Sequence, residues 1–180
     1  MHKQVCATIK LMEYHGFSAY ENKEALEAIL ANHDIQNVLD VGAGEGYYGK
    51  LIGDRAKVTA IEIWQPTVRH LESLQVYANV IDGDIRNFNY DQSYDLIIFG
   101  DVLEHLHLDE AIAVWQGAMD NADIVMVSIP NGSYPQGAIH GNEAEAHLIE
   151  NAEADLIPQL TTPSTTFKYP ITTTYVWINK

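Results

Sequence analysis

Three glycines at alternate positions follow an aspartate in the first quarter of the chain: Asp40-Val41-Gly42-Ala43-Gly44-Glu45-Gly46. Glycines placed between an apolar run and a helical stretch let the chain turn sharply and let a ligand lie against the backbone. A dinucleotide site would space them as G-x-G-x-x-G, with a helix N-terminus facing the pyrophosphate. Here the third glycine comes one residue early, at Gly46, and Tyr47 stands where that motif has glycine. Asp40 would repel a pyrophosphate and attract an ammonium. The loop favours a ligand that carries a cationic amino acid over an anionic dinucleotide.

Other side chains extend this chemistry. Glu62 ends the second apolar run, where a carboxylate can accept hydrogen bonds from ribose hydroxyls. Asp82-Gly83-Asp84-Ile85 ends the third. Asp84 can accept from an adenine amino group, with Ile63 and Ile85 as apolar walls; a turn-forming role is the alternative. Among the histidines of the second half, His105 is expected to cap or pack near a helix start, and His107 to lie on the surface. His140, Glu143 and His147 are the catalytic candidates. On a helix Glu143 and His147 would be four apart on one face, with His140 on the loop leading in. They could form a base, an acceptor clamp or a weak metal site, against a plain helix-capping role; no metal is assigned.

These residues need strand ends to hold them. Val38–Val41, Val58–Ile61, Asn79–Ile81, Leu96–Phe99 and Ile124–Ile129 are short apolar runs separated by helical stretches, which predicts parallel strands buried on both faces. Helices are expected over Ser18–His33 (Ser18 as N-cap), Tyr47–Gly53, Pro66–Tyr77, Leu103–Met119 and Glu143–Leu156. Thr165–Tyr169 and Thr172–Ile178 read as a closing antiparallel hairpin. The expectation is one doubly wound α/β domain of the Rossmann type. Residues 1–34 form a helical or lid segment (Tyr14-His15-Gly16-Phe17 the candidate lid), 35–130 a cofactor-binding core, 131–160 an acceptor loop and helix, and 161–180 the hairpin.

Composition narrows the partners. The 180 residues carry a net charge of −15 and 47% apolar residues, ordinary for a globular domain. Cys6 is the only cysteine, so a cysteine-based zinc site is excluded and a cytoplasmic location is expected. No apolar run approaches the roughly 20 residues that span a bilayer. From Asn87 to Phe167 there is no Lys or Arg, against thirteen Asp and Glu. Phosphate backbones need a basic footprint, so nucleic acid is not expected as a substrate.

Taken in order, Val38 to Gly46, Val58-Thr59-Ala60-Ile61-Glu62-Ile63, Asp82-Gly83-Asp84-Ile85 and Tyr94 to Leu106 resemble the successive motifs of class I S-adenosylmethionine-dependent methyltransferases. The resemblance covers roughly residues 35 to 130. It implies a mostly parallel seven-stranded sheet of order 3-2-1-4-5-7-6. It also implies that Asp40, Gly42, Gly44 and Gly46 lie by the methionine moiety, Glu62 on the ribose, and Asp84 with Ile85 on the adenine. Gly100 and Asp101 would pass close to the methionine end. The Asn/Asp-Pro-Pro-Tyr motif of amino-methyltransferases is missing; Phe99-Gly100-Asp101-Val102 stands there. The reading is methyl transfer from S-adenosylmethionine to a neutral or cationic small molecule, ahead of an NAD-dependent oxidoreductase or a non-catalytic adenosyl-binding module.

Overall fold

The computed structural model describes residues 20–179. The strands are β1 (Asn37–Val41), β2 (Lys57–Glu62), β3 (Asn79–Asp82), β4 (Tyr94–Gly100), β5 (Ala122–Pro130), β6 (Thr165–Lys168) and β7 (Thr172–Ile178). They form one sheet of order β3-β2-β1-β4-β5-β7-β6. The first five are parallel, and β7 runs antiparallel to both β5 and β6. This is the order and the closing hairpin expected from the motifs.

Helices α1 (Lys23–Asn32), α2 (Tyr47–Ile52), α3 (Gln65–Leu74), α4 (Leu108–Asn121) and α5 (Ala152–Asp155) cover the sheet. The central strands are mostly apolar because both faces are covered. On one face Ile97 and Phe99 pack with Val114 and Trp115 of α4; on the other Leu96 and Ile98 pack with Leu26 of α1 and Ile52 of α2. The chain winds outward from β1 to β2 and β3, then returns to place β4 on the other side of β1. Such a reversal opens a crevice at the carboxyl ends of the strands. Among the described residues no helix is long and apolar enough to cross a membrane.

Two expected helices are corrected. Leu103–Met119 is a single 3-10 turn over Leu103–His105, followed by α4 from Leu108. The exposed His107 precedes α4, and its amide donates to the Glu110 carboxylate at 3.1 Å. Glu143–Leu156 is also not one helix: a turn over Glu143–Glu145 and α5 are separated by irregular chain. Asn142 and Asn151 each cap the element that follows them, which divides the segment. Between the two caps, the Leu148 and Ile149 amides both donate to the Glu104 carbonyl instead of to helical partners. Glu143 and His147 therefore do not share a helix face. The lid candidate Tyr14–Phe17 and the cap Ser18 lie outside the described residues.

Candidate active site

A cavity of about 510 Å³ opens at the crevice between β1 and β4, within the 300–1,000 Å³ common for small-ligand sites. Its floor is the glycine turn. Gly42 has φ 63°, and a Cβ there would sit 2.6 Å from Val102 Cγ2, so any side chain meets both strain and a wall. The Gly42 amide donates to the Ile61 carbonyl at 2.9 Å, tying the turn to β2. Gly44 lines the cavity as well.

Glu62, at the end of β2, is 8% exposed and lines the same space. Its Oε1 accepts from the Ile63 and Trp64 amides, both at 2.9 Å, and its Oε2 from the Gly44 amide at 3.3 Å. A carboxylate offers about four acceptor positions, so roughly one remains for a ligand. Burial raises its pKa, while the three amides pull it down.

Asp40 and Gly46 are not among the lining residues. Strand alternation explains Asp40, which shares the face of Val38 and turns toward α2 and α3. It is fully buried, and its Oδ2 accepts from the Tyr77 hydroxyl at 2.8 Å. Burial pushes its pKa up to about 7, with repulsion from Glu62 adding and the Tyr77 bond opposing. Gly46, with φ 75°, starts α2.

Ile63 and Ile85 also line the cavity, Ile63 being 45% exposed. Asp84 lines the cavity and also closes a turn, its carboxylate accepting from the Arg86 amide at 2.9 Å. Its carboxylate also pairs with the Arg86 guanidinium at 2.6 Å, which lowers its pKa, and Arg86 reaches Glu110 at 3.2 Å. Gly100, at the end of β4, must lack a side chain because a Cβ would overlap the Tyr48 ring.

Asp101 follows in a left-handed conformation, φ 60°. The Ser128 hydroxyl donates to its Oδ1 at 2.8 Å. Ser128 is held in turn by the buried Asn22, whose amide donates to it at 2.8 Å and to the Tyr48 hydroxyl at 3.1 Å. The Thr172 and Thr174 hydroxyls donate to Asn22 Oδ1, each at 3.0 Å. Asn22 thus joins the first described turn to β5, β7 and α2, and nothing in its own neighbourhood of the sequence signals it.

On the opposite wall are Glu143 and His147; His140 is exposed, has φ 50° and is not part of the lining. Two further residues join His147. Glu104 is 1% exposed, and among the described residues neither of its carboxyl oxygens has a hydrogen-bond partner. Burial, then the charges of Asp101 and Glu145, push its pKa well above the carboxylate range. The His105 and His147 rings meet edge to face at 4.7 Å between centroids. Burial and the neighbouring His147 push His105 down to about 4, so it is neutral at physiological pH. Among the described residues Glu62, Asp84, Asp101, Glu104, Glu143 and Glu145 line the cavity, against the single guanidinium of Arg86.

Residues 38–121 match the family model described as "Methyltransferase domain". That stretch is a methyltransferase domain. No curated protein matches the chain. Among solved structures it is similar to an S-adenosylmethionine-dependent methyltransferase from Clostridium acetobutylicum ATCC 824, with TM-score 0.54 and 14% identity over 68% of this chain and 57% of that one. It is similar to DhpI in complex with SAH, with TM-score 0.68 and 18% identity over 84% and 80%. The N-methyltransferase NodS from Bradyrhizobium japonicum WM9 gives TM-score 0.67 and 12% identity over 88% and 94%. At these identities the shared property is the fold. The resemblance read from the motifs is borne out by the family match and by the sheet. The matched stretch of this methyltransferase domain contains the glycine turn, Glu62, Asp84, Gly100, Glu104 and His105; Glu143 and His147 lie beyond it.

Proposed function

We propose that the protein transfers a methyl group from S-adenosylmethionine to a neutral or cationic small molecule. One observation carries this reading: a turn that admits no side chain at Gly42 and the backbone-held carboxylate of Glu62 line one cavity at the crevice between β1 and β4. When bound, S-adenosylmethionine supplies an electrophilic methyl group on a sulfonium. The backbone at Gly42 and Gly44 cradles the methionine end, with Gly100 and Asp101 beside it. Glu62 accepts from a ribose hydroxyl with its remaining lone pair, Ile63 and Ile85 flank the adenine, and Asp84 accepts from the adenine amine. Asp40 and Gly46 act from behind, through Tyr77 and the start of α2.

Glu143 and His147 position the acceptor, with His140 at the edge of the approach. Methyl transfer is an in-line displacement, so orientation does most of the work, and a base matters only for an acceptor that must lose a proton. The acidic lining supports a cationic or neutral acceptor over a phosphorylated one or a nucleic acid. Tyr134, Leu148 and Ile171 are exposed apolar residues on the cavity wall, which suits an acceptor with an apolar portion. A cytoplasmic site of action accords with the single cysteine. The test is adenosylhomocysteine release over a panel of anionic, neutral and cationic small molecules, with nucleic acid included. Turnover is expected among the neutral and cationic members. Turnover confined to nucleic acid or phosphorylated acceptors would overturn the acceptor class, and ligand binding with no turnover at all would favour a non-catalytic module.

A further inference from the structure

We propose that Glu104, His105 and His147 bind a divalent transition-metal ion inside the cavity. One ligand atom from each residue lies within 4.8 Å of the other two. Metal–nitrogen and metal–oxygen bonds of about 2.0–2.2 Å put ligands on one ion up to about 4.4 Å apart, so small side-chain adjustments complete the site.

Three further observations point to an ion. First, Glu104 is 1% exposed, and neither carboxyl oxygen has a hydrogen-bond partner among the described residues. Leaving such a group unpaired in the interior is costly, and a cation is a partner it can take. Second, the imidazoles are oriented as metal ligands are. His147 Nδ1 sits 2.5 Å from the Tyr134 carbonyl, and His105 Nδ1 sits 3.2 Å from that of Ala146. A ring that donates Nδ1–H to a carbonyl presents the lone pair of Nε2. Third, the fold constructs the cluster from distant segments. The Glu104 carbonyl accepts the Leu148 amide at 2.9 Å and the Ile149 amide at 3.0 Å, which brings His147 beside the Glu104-His105 pair. That double contact is also what breaks the expected helix.

The donor set selects the ion. Two imidazoles and one carboxylate suit Zn²⁺, Co²⁺, Fe²⁺ or Mn²⁺ better than the all-oxygen preferences of Ca²⁺ and Mg²⁺. Three protein ligands leave positions open toward the cavity. Of the residues grouped from the sequence, His147 remains in the set, while Glu104 and His105 take the places of Glu143 and His140. The site does not depend on the methyl-transfer reading. If that reading holds, an oxygen of the acceptor could occupy an open position.

The experiment is metal binding to the full chain after stripping with a chelator: Co²⁺ followed by absorption, and Zn²⁺ and Mn²⁺ by calorimetry. One equivalent of Co²⁺ or Zn²⁺ is expected to bind, and the chelator to reverse it. Glu104→Gln and His147→Ala should each weaken binding at least tenfold, and His140→Ala should leave it unchanged. Glu104→Gln keeps the side-chain volume and His147 is only half-buried, so circular dichroism should report a retained fold in both. Should Glu104→Gln fail to fold, His147→Ala alone decides. No binding of any of the three ions, or binding unaffected by these substitutions, would overturn the proposal whether or not the protein transfers methyl groups.

Discussion

The turn from Gly42 to Gly46 and the segment from Asn131 to Asn151 face one cavity but are held in different ways. The turn is fixed by its immediate neighbours: the Gly42 amide on Ile61, and one carboxylate, Glu62, gathering the amides of Gly44, Ile63 and Trp64. The segment is tied to the rest of the fold at separate points and closed on itself between them. The Leu148 and Ile149 amides meet the Glu104 carbonyl, and the Tyr134 amide meets that of Glu150. The first arrangement leaves little room for change because the amides of Gly42, Gly44 and Gly46 are taken up by Ile61, Glu62 and Ala43. The second tolerates substitution between its anchor points, which suits a wall that sets acceptor choice. On the proposed reading, cofactor geometry and acceptor specificity rest on parts of the chain that are held in different ways.

Paired glycine substitutions are the strongest way to break this comparison. Gly42→Ala adds left-handed strain of about 1–2 kcal/mol and a contact with Val102 worth about 1–3 kcal/mol more, so stability should fall by about 2–5 kcal/mol and adenosylhomocysteine binding should be lost. Gly141→Ala, at φ 82° with nothing within 4 Å of the added Cβ, should cost only the strain, about 1–2 kcal/mol, and leave cofactor affinity intact. Thermal melts and calorimetry on both variants measure this. Equal losses would erase the distinction between the two regions.

A smaller effect sharpens the rigid side. Asp40 titrates near 7 in the folded state, because burial disfavours its charge, and near 3.9 when unfolded. Between these values the native state holds the extra proton, so Asp40's contribution to stability falls as pH rises from about 4 to about 7. Glu62, Glu104 and Glu145 are shifted in the same direction. Asp40→Asn should therefore gain stability relative to the parent between pH 5 and pH 8, by about 2 kcal/mol. A difference that stays constant with pH would mean that Asp40 is ionised throughout.

What was legible in the sequence follows the same division. The strand runs, the glycine turn, Glu62 and the Asp84 turn are local patterns in which strand, loop and helix start lie within a few residues, so type and spacing reveal them. The side on which Asp40 emerges was readable in principle from its alternation with Val38, but a carboxylate at a strand end invites the ligand-facing reading. Asn22 was out of reach: its partners Ser128 and Thr174 are 106 and 152 residues away. Glu104 and His105 sit in a stretch with helical periodicity, and their meeting with His147 depends on a carbonyl accepting two distant amides. The same contact removed the helix on which Glu143 and His147 were to share a face. Backbone partners from outside the segment overrode its local pattern.

The most direct test of the adenosyl-binding site is calorimetric titration of adenosylhomocysteine and NAD into the parent protein and Glu62→Ala. The parent should bind adenosylhomocysteine with a micromolar Kd and show no heat with NAD. Glu62→Ala should raise that Kd at least tenfold, since a hydrogen bond to a charged group is worth about 1.5–3 kcal/mol. It should also lower the melting temperature, because the Gly44, Ile63 and Trp64 amides lose their acceptor. Tight NAD binding without adenosylhomocysteine binding, or a Kd unchanged by Glu62→Ala, would contradict the assignment.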